Sequence, residues 1–172
     1  MDFEKSEKLI SGMNAQARNT YNVLEDLLTW TRNNSNKIGY NPFHCNISTI
    51  CEEVINQLKD TAQMKGIPIN SFHTLEVNAY ADKNMVEVIL RNLIVNAIKF
   101  TESGTITVSA YAVVMNNQSI RLQINVKDTG AGLTVDAQER LFDAFSQADN
   151  AVARKYGGSG LGLAIVRKLI EQ

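Results

Sequence analysis

Cysteine is nearly missing from this sequence. Cys45 and Cys51 stand six residues apart, with no companions at metal-ligand spacing. That count excludes a disulfide-built scaffold and favours a thiol-reducing, cytoplasmic setting. An excess of either charge is missing too. Seventeen basic residues face eighteen acidic ones for a formal charge of −1, and no segment concentrates one sign. A broad basic face for nucleic acid is therefore not expected. No apolar run reaches the roughly 20 residues of a membrane span, and the start lacks a signal peptide's apolar core. Proline is absent before Pro42, so none interrupts a helix from Asp2 to about Asn34.

With 172 residues, 44% of them hydrophobic, one medium domain or a small domain with an appendage can form a core. From Asp2 to about Asn34, Ile10, Met13, Ala17, Tyr21, Leu24 and Leu28 recur at intervals of three and four. This pattern predicts a long amphipathic helix with a narrow seam. Some thirty residues would extend roughly 45 Å, more than one small domain needs. Pairing with another helix, in a second chain, is the expectation; folding back on its own domain is the alternative. Asn33–Asn36 and Gly39–Pro42 are breakers and mark a linker.

A second amphipathic helix follows on Ile47, Ile50, Val54 and Leu58, with Thr49 and Glu52 at capping-box spacing. Gly66–Ile69 ends it and begins a short extended piece, and Leu75–Tyr80 alternates like a strand. Asp82 then suits the N-cap of a helix running to Thr101. Val86, Ile89, Leu90, Leu93 and Ala97 form its apolar stripe, while Asn92, Asn96 and Lys99 share another face. Asparagine is a poor interior helix residue because its side chain competes for backbone hydrogen bonds. Two of them one turn apart suggest a ligand face, although a solvated face explains them equally well.

Thr105–Val114 and Ile120–Asp128 flank the polar Met115–Ser119 and read as an antiparallel hairpin. Ile120, Leu122, Ile124 and Val126 alternate, and Asp128 continues their parity. A carboxylate on the core-facing side costs several kcal/mol unless paired. A solvated strand end is the alternative. Gly130 and Gly132 follow, then a short helix at about Asp136–Ala144 with Leu141, Phe142 and Phe145 as apolar anchors. Ser146–Ser159 has little periodicity and reads as a loop. Gly157, Gly158, Ser159 and Gly160 lead into a last helix, Leu161–Ile170. A glycine-rich run opening a helix is suited to anions, and a ligand-free hinge is the bland reading.

In this order and spacing, four segments resemble the boxes of the sensor histidine kinase catalytic domain. Asn92–Thr101 resembles the N box, and Asp128–Gly132 the first glycine box. Leu141–Phe145 resembles the F box, and Arg154–Leu163 the second glycine box. Leu24–Trp30 is similar to the end of the second helix of the family's dimerisation and phosphotransfer hairpin. The resemblance implies a two-layer α/β sandwich of the histidine kinase/Hsp90-like ATPase type, preceded by a long helix. Its divisions would be 1–36 for the partial hairpin, 37–45 for the linker and 46–172 for the catalytic ATP-binding domain.

The cofactors implied are ATP and Mg²⁺. Asp128 would accept a hydrogen bond from the adenine amine, and Asn96, assisted by Asn92, would offer amide oxygen to Mg²⁺. Lys99 would face the phosphates, and with Asn96 it is the expected catalytic residue. Gly130, Gly132, Phe145, Gly158, Ser159, Gly160, Leu161 and Gly162 would line the nucleotide. Ser146–Ser159 would be the ATP lid, with Arg154 and Lys155 either on the γ-phosphate or solvated.

The match has two departures. The family's phosphoacceptor is a histidine followed by an acidic residue on the first hairpin helix, and neither His44 nor His73 has that setting. Autophosphorylation within this chain is therefore not expected. The family's usual strand pair after the last helix is also missing, as in a piece of a longer kinase. The expected partners are a histidine-bearing phosphotransfer helix, a response regulator receiver domain and a second copy in a homodimer. The expected location is cytoplasmic, alone or as the inner part of a membrane-bound sensor. A catalytically silent nucleotide-binding or dimerisation module and another ATPase or serine kinase of the superfamily stay open.

Overall fold

A computed structural model describes residues 6–7, 9–10, 12–13, 17, 20, 24, 28, 39–73, 77–116, 119–146 and 159–171. The chain divides into two compact units. One is Gly39–Val135 with Leu169–Gln172, and the other is Met1–Ile38 with Asp136–Lys168.

The first unit runs β1 (Phe43–Asn46), α1 (Ile47–Met64), β2 (Ile69–His73), β3 (Asn78–Ala81), α2 (Lys83–Phe100), β4 (Ile106–Asn116) and β5 (Ser119–Asp128). β4 lies between β2, its parallel neighbour, and β5, its antiparallel one. β1 and β3 form a separate antiparallel pair. Residues of α1, α2 and β4 share one core: Ile50, Val54 and Leu58, then Leu90, Ile94 and Ala97, then Ile106, Val108 and Ala110. On the opposite face of β4 and β5, Thr107, Ser109, Arg121, Gln123 and Lys127 remain at least partly exposed. The sheet thus faces solvent on one side, where Phe72 and Val113 are exposed among the polar residues, and is covered by helices on the other, which makes the expected two-layer sandwich.

Local chemistry sets the helix ends. Asn46, not Thr49, caps α1, and its side chain accepts from Thr49 N at 3.0 Å. The cap falls three residues earlier than expected because Ile47 is fully buried and its N–H is taken by Val77 O at 2.7 Å. Ser48 Oγ accepts from Val77 N at 3.2 Å, so the helix start is tied to the residue before β3. Phe43–Cys45, read as linker, belong to β1 and pair with Ala79–Ala81. β3 is Asn78–Ala81 rather than Leu75–Tyr80, and Leu75 lies outside the described residues.

Asp82 caps α2 as expected, accepting from Asn84 N at 3.0 Å and Met85 N at 3.2 Å. Its other oxygen accepts from Asn41 N at 3.0 Å, which joins the segment before β1 to the helix start. At the far end, Lys65 Nζ donates to Ile98 O at 2.7 Å and to Lys99 O at 3.2 Å. An ammonium there satisfies carbonyls that the helix leaves unpaired and opposes the negative end of its dipole. The hairpin ladder runs from Ile106–Asp128 to Asn116–Ser119, with an irregularity between Val114 and Asn116. The connection is therefore tighter than the Met115–Ser119 loop that was expected.

After the sheet, α3 (Val135–Glu139) is shorter than the Asp136–Ala144 helix expected. Asp143 N bonds Arg140 O and Ser146 N bonds Asp143 O, so three-residue turns replace helical spacing. The last helix, α4 (Gly162–Ile170), follows Leu161, and Leu161, Ile165 and Leu169 are buried in the expected register. The described residues between Ser6 and Leu28 are helical. Among them Ile10, Met13, Ala17, Leu24 and Leu28 of the proposed seam are exposed, and Tyr21 lies outside the described residues. No helix of the described residues is long and apolar enough to cross a membrane.

Candidate functional site

The apolar stripe of α2 is turned slightly from its expected position. Val86, Leu90 and Ala97 are buried as expected, joined by Met85, Ile94 and Ile98, while Ile89 and Leu93 are half-buried. This leaves Ile89 and Leu93 on the flank of the helix, in the same sector as Asn92, Asn96 and Lys99. All three polar residues are half-buried. They are less exposed than Arg91 and Val95 on the neighbouring sector of the helix.

The asparagines differ in their bonding. Asn92 Nδ2 donates to Val88 O at 2.9 Å, so the amide is oriented and its oxygen is the end left for a ligand. The Asn96 side chain makes no hydrogen bond among the described residues. The Lys99 ammonium lies 4.8 Å from the centre of the Phe100 ring, and burial lowers its pKa from 10.5. Partial desolvation of an ammonium favours an anionic companion.

At the end of β5, Asp128 has the core-side parity of Ile124 and Val126, yet it is exposed. The expectation of a buried carboxylate is therefore corrected. Asp128 is the last rung of the ladder, opposite Ile106, and the chain turns away immediately after it. Its Oδ1 accepts from Gly130 N at 2.8 Å. Gly130 is packed so tightly that an added Cβ would stand 2.6 Å from Phe100 O and 2.8 Å from Asp128 Oδ1. No other residue fits there without displacing backbone. The first glycine segment thus rests on the C-terminal end of α2, which brings Asp128 and Gly130 to the helix bearing Asn92, Asn96 and Lys99. Gly132 has φ +71 and is exposed.

The remaining expected residues belong to the other unit. Gly160 has φ +70, and an added Cβ would meet Phe145 C and Ser146 O at 3.0 Å. Phe145 N donates to Gly160 O at 3.1 Å, and Phe145 itself has φ 61, a conformation uncommon outside glycine. The two segments thus form one compact piece. Phe142 and Phe145 are exposed rather than buried as anchors. Ser159 Oγ accepts from Leu161 N at 3.2 Å, so that N–H at the helix entry already has a partner. Gly162 opens α4. Gly158, Arg154 and Lys155 lie outside the described residues, as does most of Ser146–Ser159.

Three features of this region have no counterpart in the sequence pattern. Lys65 caps the last turn of α2, Thr129 bonds to Thr105, and Thr101 is fully buried with a hydroxyl that has no partner among the described residues. Each depends on a contact across 24 or more residues or on burial, and neither has a local signature.

A helix-covered mixed sheet, with a polar helix flank and a glycine turn docked against it, defines an ATPase domain of the histidine kinase and Hsp90 architecture. Residues 81–172 match the family described as histidine kinase-, DNA gyrase B-, and HSP90-like ATPase, and the chain belongs to that family. It is homologous to sensor histidine kinases of two-component signalling. The signal transduction histidine-protein kinase BarA of Escherichia coli (strain K12) is 31% identical over 158 residues, 91% of this chain and 17% of that protein. The sensor histidine kinase GacS of Pseudomonas protegens is 34% identical over 152 residues, 87% of this chain and 17% of its own length. The chain therefore spans less than a fifth of these curated relatives. Among solved structures, full-length ShkA in complex with AMPPNP superposes with a TM-score of 0.79 at 29% identity, over 96% of this chain and 33% of that one.

Proposed function

We propose that this chain is the Mg²⁺–ATP-binding catalytic part of a two-component sensor histidine kinase, and that it delivers the γ-phosphoryl group to a histidine outside this sequence. The observation that carries the reading is the half-buried Asn92, Asn96 and Lys99 sector of α2, with Asp128 and Gly130 docked at its end. The residues fit the ligand. Amide oxygens suit a hard cation that keeps much of its water, and Asn92 already commits its nitrogen to Val88. Magnesium, when bound, would neutralise phosphate charge. Asn96 would hold that ion, Lys99 would meet the phosphates, and the Asp128 carboxylate would accept from the adenine amine. Phosphoryl transfer needs little more than such positioning and charge stabilisation.

Gly132, Phe145, Gly158, Ser159, Gly160, Leu161 and Gly162 are assigned to the nucleotide on the resemblance alone. His44 lies in β1, stacked edge-on against Tyr80 at 5.2 Å, and His73 lies in β2. Neither is on a helix, so neither suits the phosphoacceptor role. Residues 1–36 are assigned to the second helix of a phosphotransfer hairpin that pairs in a homodimer. A response regulator receiver domain is the downstream partner, and the location is cytoplasmic.

The test combines the purified chain, a separately produced histidine-bearing hairpin and γ-labelled ATP. Acid-labile label on the hairpin is the expected result. ATP binding without label would identify a silent nucleotide module, and acid-stable label would identify a serine kinase.

A further inference from the structure

The adenine-side and phosphate-side residues of the proposed site lie on different elements. Asn92, Asn96 and Lys99 are on α2, whereas Asp128 ends a long two-stranded hairpin that starts at Ile106. The ladder pairs Asp128 with the fully buried Ile106 and so fixes it within the sheet. The position of that rung relative to the end of α2 is left to the turns that follow β5 and α2. Two contacts set it. Thr105 N donates to Thr129 Oγ1 at 3.0 Å, and the same hydroxyl reaches back to Thr105 O at 3.4 Å. One side chain therefore binds both backbone groups of the residue that leads into β4.

Gly104 makes the approach possible. Its φ is +121, and an added Cβ would stand 2.0 Å from Thr129 Oγ1. Gly130 supplies the second contact by resting on Phe100 O. The turn after α2 and the turn after β5 thus interlock through two glycines and one hydroxyl, with Asp128 beside the hydroxyl.

We propose that Thr129, admitted by Gly104, is a positioning residue for nucleotide binding. It fixes the Asp128 carboxylate against the α2 wall and so sets the adenine-to-phosphate geometry. This inference rests on the nucleotide reading above. It is separate from the assignments of Asp128 and Asn96, because Thr129 itself need not touch the ligand.

Calorimetric titration of the whole chain with MgATP tests it. Thr129→Val keeps the side-chain shape and removes both bonds, and it should weaken ATP about fivefold to tenfold. Thr129→Ser keeps the hydroxyl and should restore wild-type affinity. In an Asp128→Ala background, Thr129→Val should cost nothing further, because the residue acts through that carboxylate. Amide exchange at Thr105, read without nucleotide, should accelerate in Thr129→Val and recover in Thr129→Ser.

The proposal is overturned if Thr129→Val binds ATP within twofold of wild type. It also fails if serine does not rescue, or if the loss persists undiminished beside Asp128→Ala. Should Thr129→Val not fold, Gly104→Ala poses the same question from the other side of the contact. Its methyl must displace the hydroxyl, so unchanged ATP affinity there refutes the clamp. A wild-type chain that binds no ATP removes the nucleotide reading and this inference with it, while unchanged Thr105 exchange alongside normal wild-type binding removes only the clamp.

Discussion

Replacing Asp128 by Asn changes one oxygen to an amide nitrogen and leaves the shape alone. The side chain can still present an oxygen to Gly130 N, which lies 2.8 Å from Oδ1 in the parent. The turn, packed against Phe100 O, should therefore survive. What disappears is the negative charge that would meet the adenine amine. Once the remaining oxygen faces Gly130, the amide end presents a donor to a donor. A hydrogen bond to a charged group contributes about 1.5–3 kcal/mol. Asp128 is exposed, so water competes and the lower end of that range applies.

At roughly 1.4 kcal/mol per tenfold, ATP affinity should fall somewhat more than tenfold. Folding stability should move by less than about 0.5 kcal/mol, as for surface changes that leave backbone bonds intact. Calorimetry with MgATP gives the first quantity and urea denaturation the second. Unchanged ATP affinity would refute the carboxylate's role. A large loss of stability together with affinity would mean that Asp128 supports the fold rather than the ligand.

Asn96→Ala should abolish the Mg²⁺ dependence of ATP binding; titrations with and without the ion decide it, and a surviving dependence refutes the metal assignment. Lys99 has a pKa lowered by burial, so the folded chain releases this proton at a lower pH than the unfolded chain does. Its contribution to stability should therefore rise with pH between the lowered value and 10.5. Phosphate beside the ammonium would raise the pKa again, so ATP binding should take up protons in that alkaline window and weaken as pH rises through it. Calorimetry in buffers of different ionisation enthalpy measures the uptake, and Lys99→Met should eliminate it. Asp82→Ala removes the cap of α2 and the bond to Asn41 N, and should cost about 2 kcal/mol in urea denaturation with an unchanged slope.

Much of this protein is legible locally. The helix from Lys83 to Phe100, its Asp82 cap, the hairpin of β4 and β5 and the register of the last helix follow from periodicity and capping chemistry, which act within one or two turns of chain. Asn92, Asn96 and Lys99 share a face because their spacing requires it, and their family follows from four short segments in order. Tertiary structure decided the rest. It turned the buried stripe toward Ile94 and Ile98, because the sheet and α1 choose which flank of α2 they cover. It left Asp128 exposed, because parity assigns a face but not how far the covering helices reach. It placed Asn46 as the cap of α1 through the bond from Ile47 to Val77, and it joined Lys65 to the end of α2. The interlock of Gly104, Thr129, Gly130 and Phe100 has no signature in spacing or composition. It arises only when two distant turns meet, at a separation that a single Cβ would forbid.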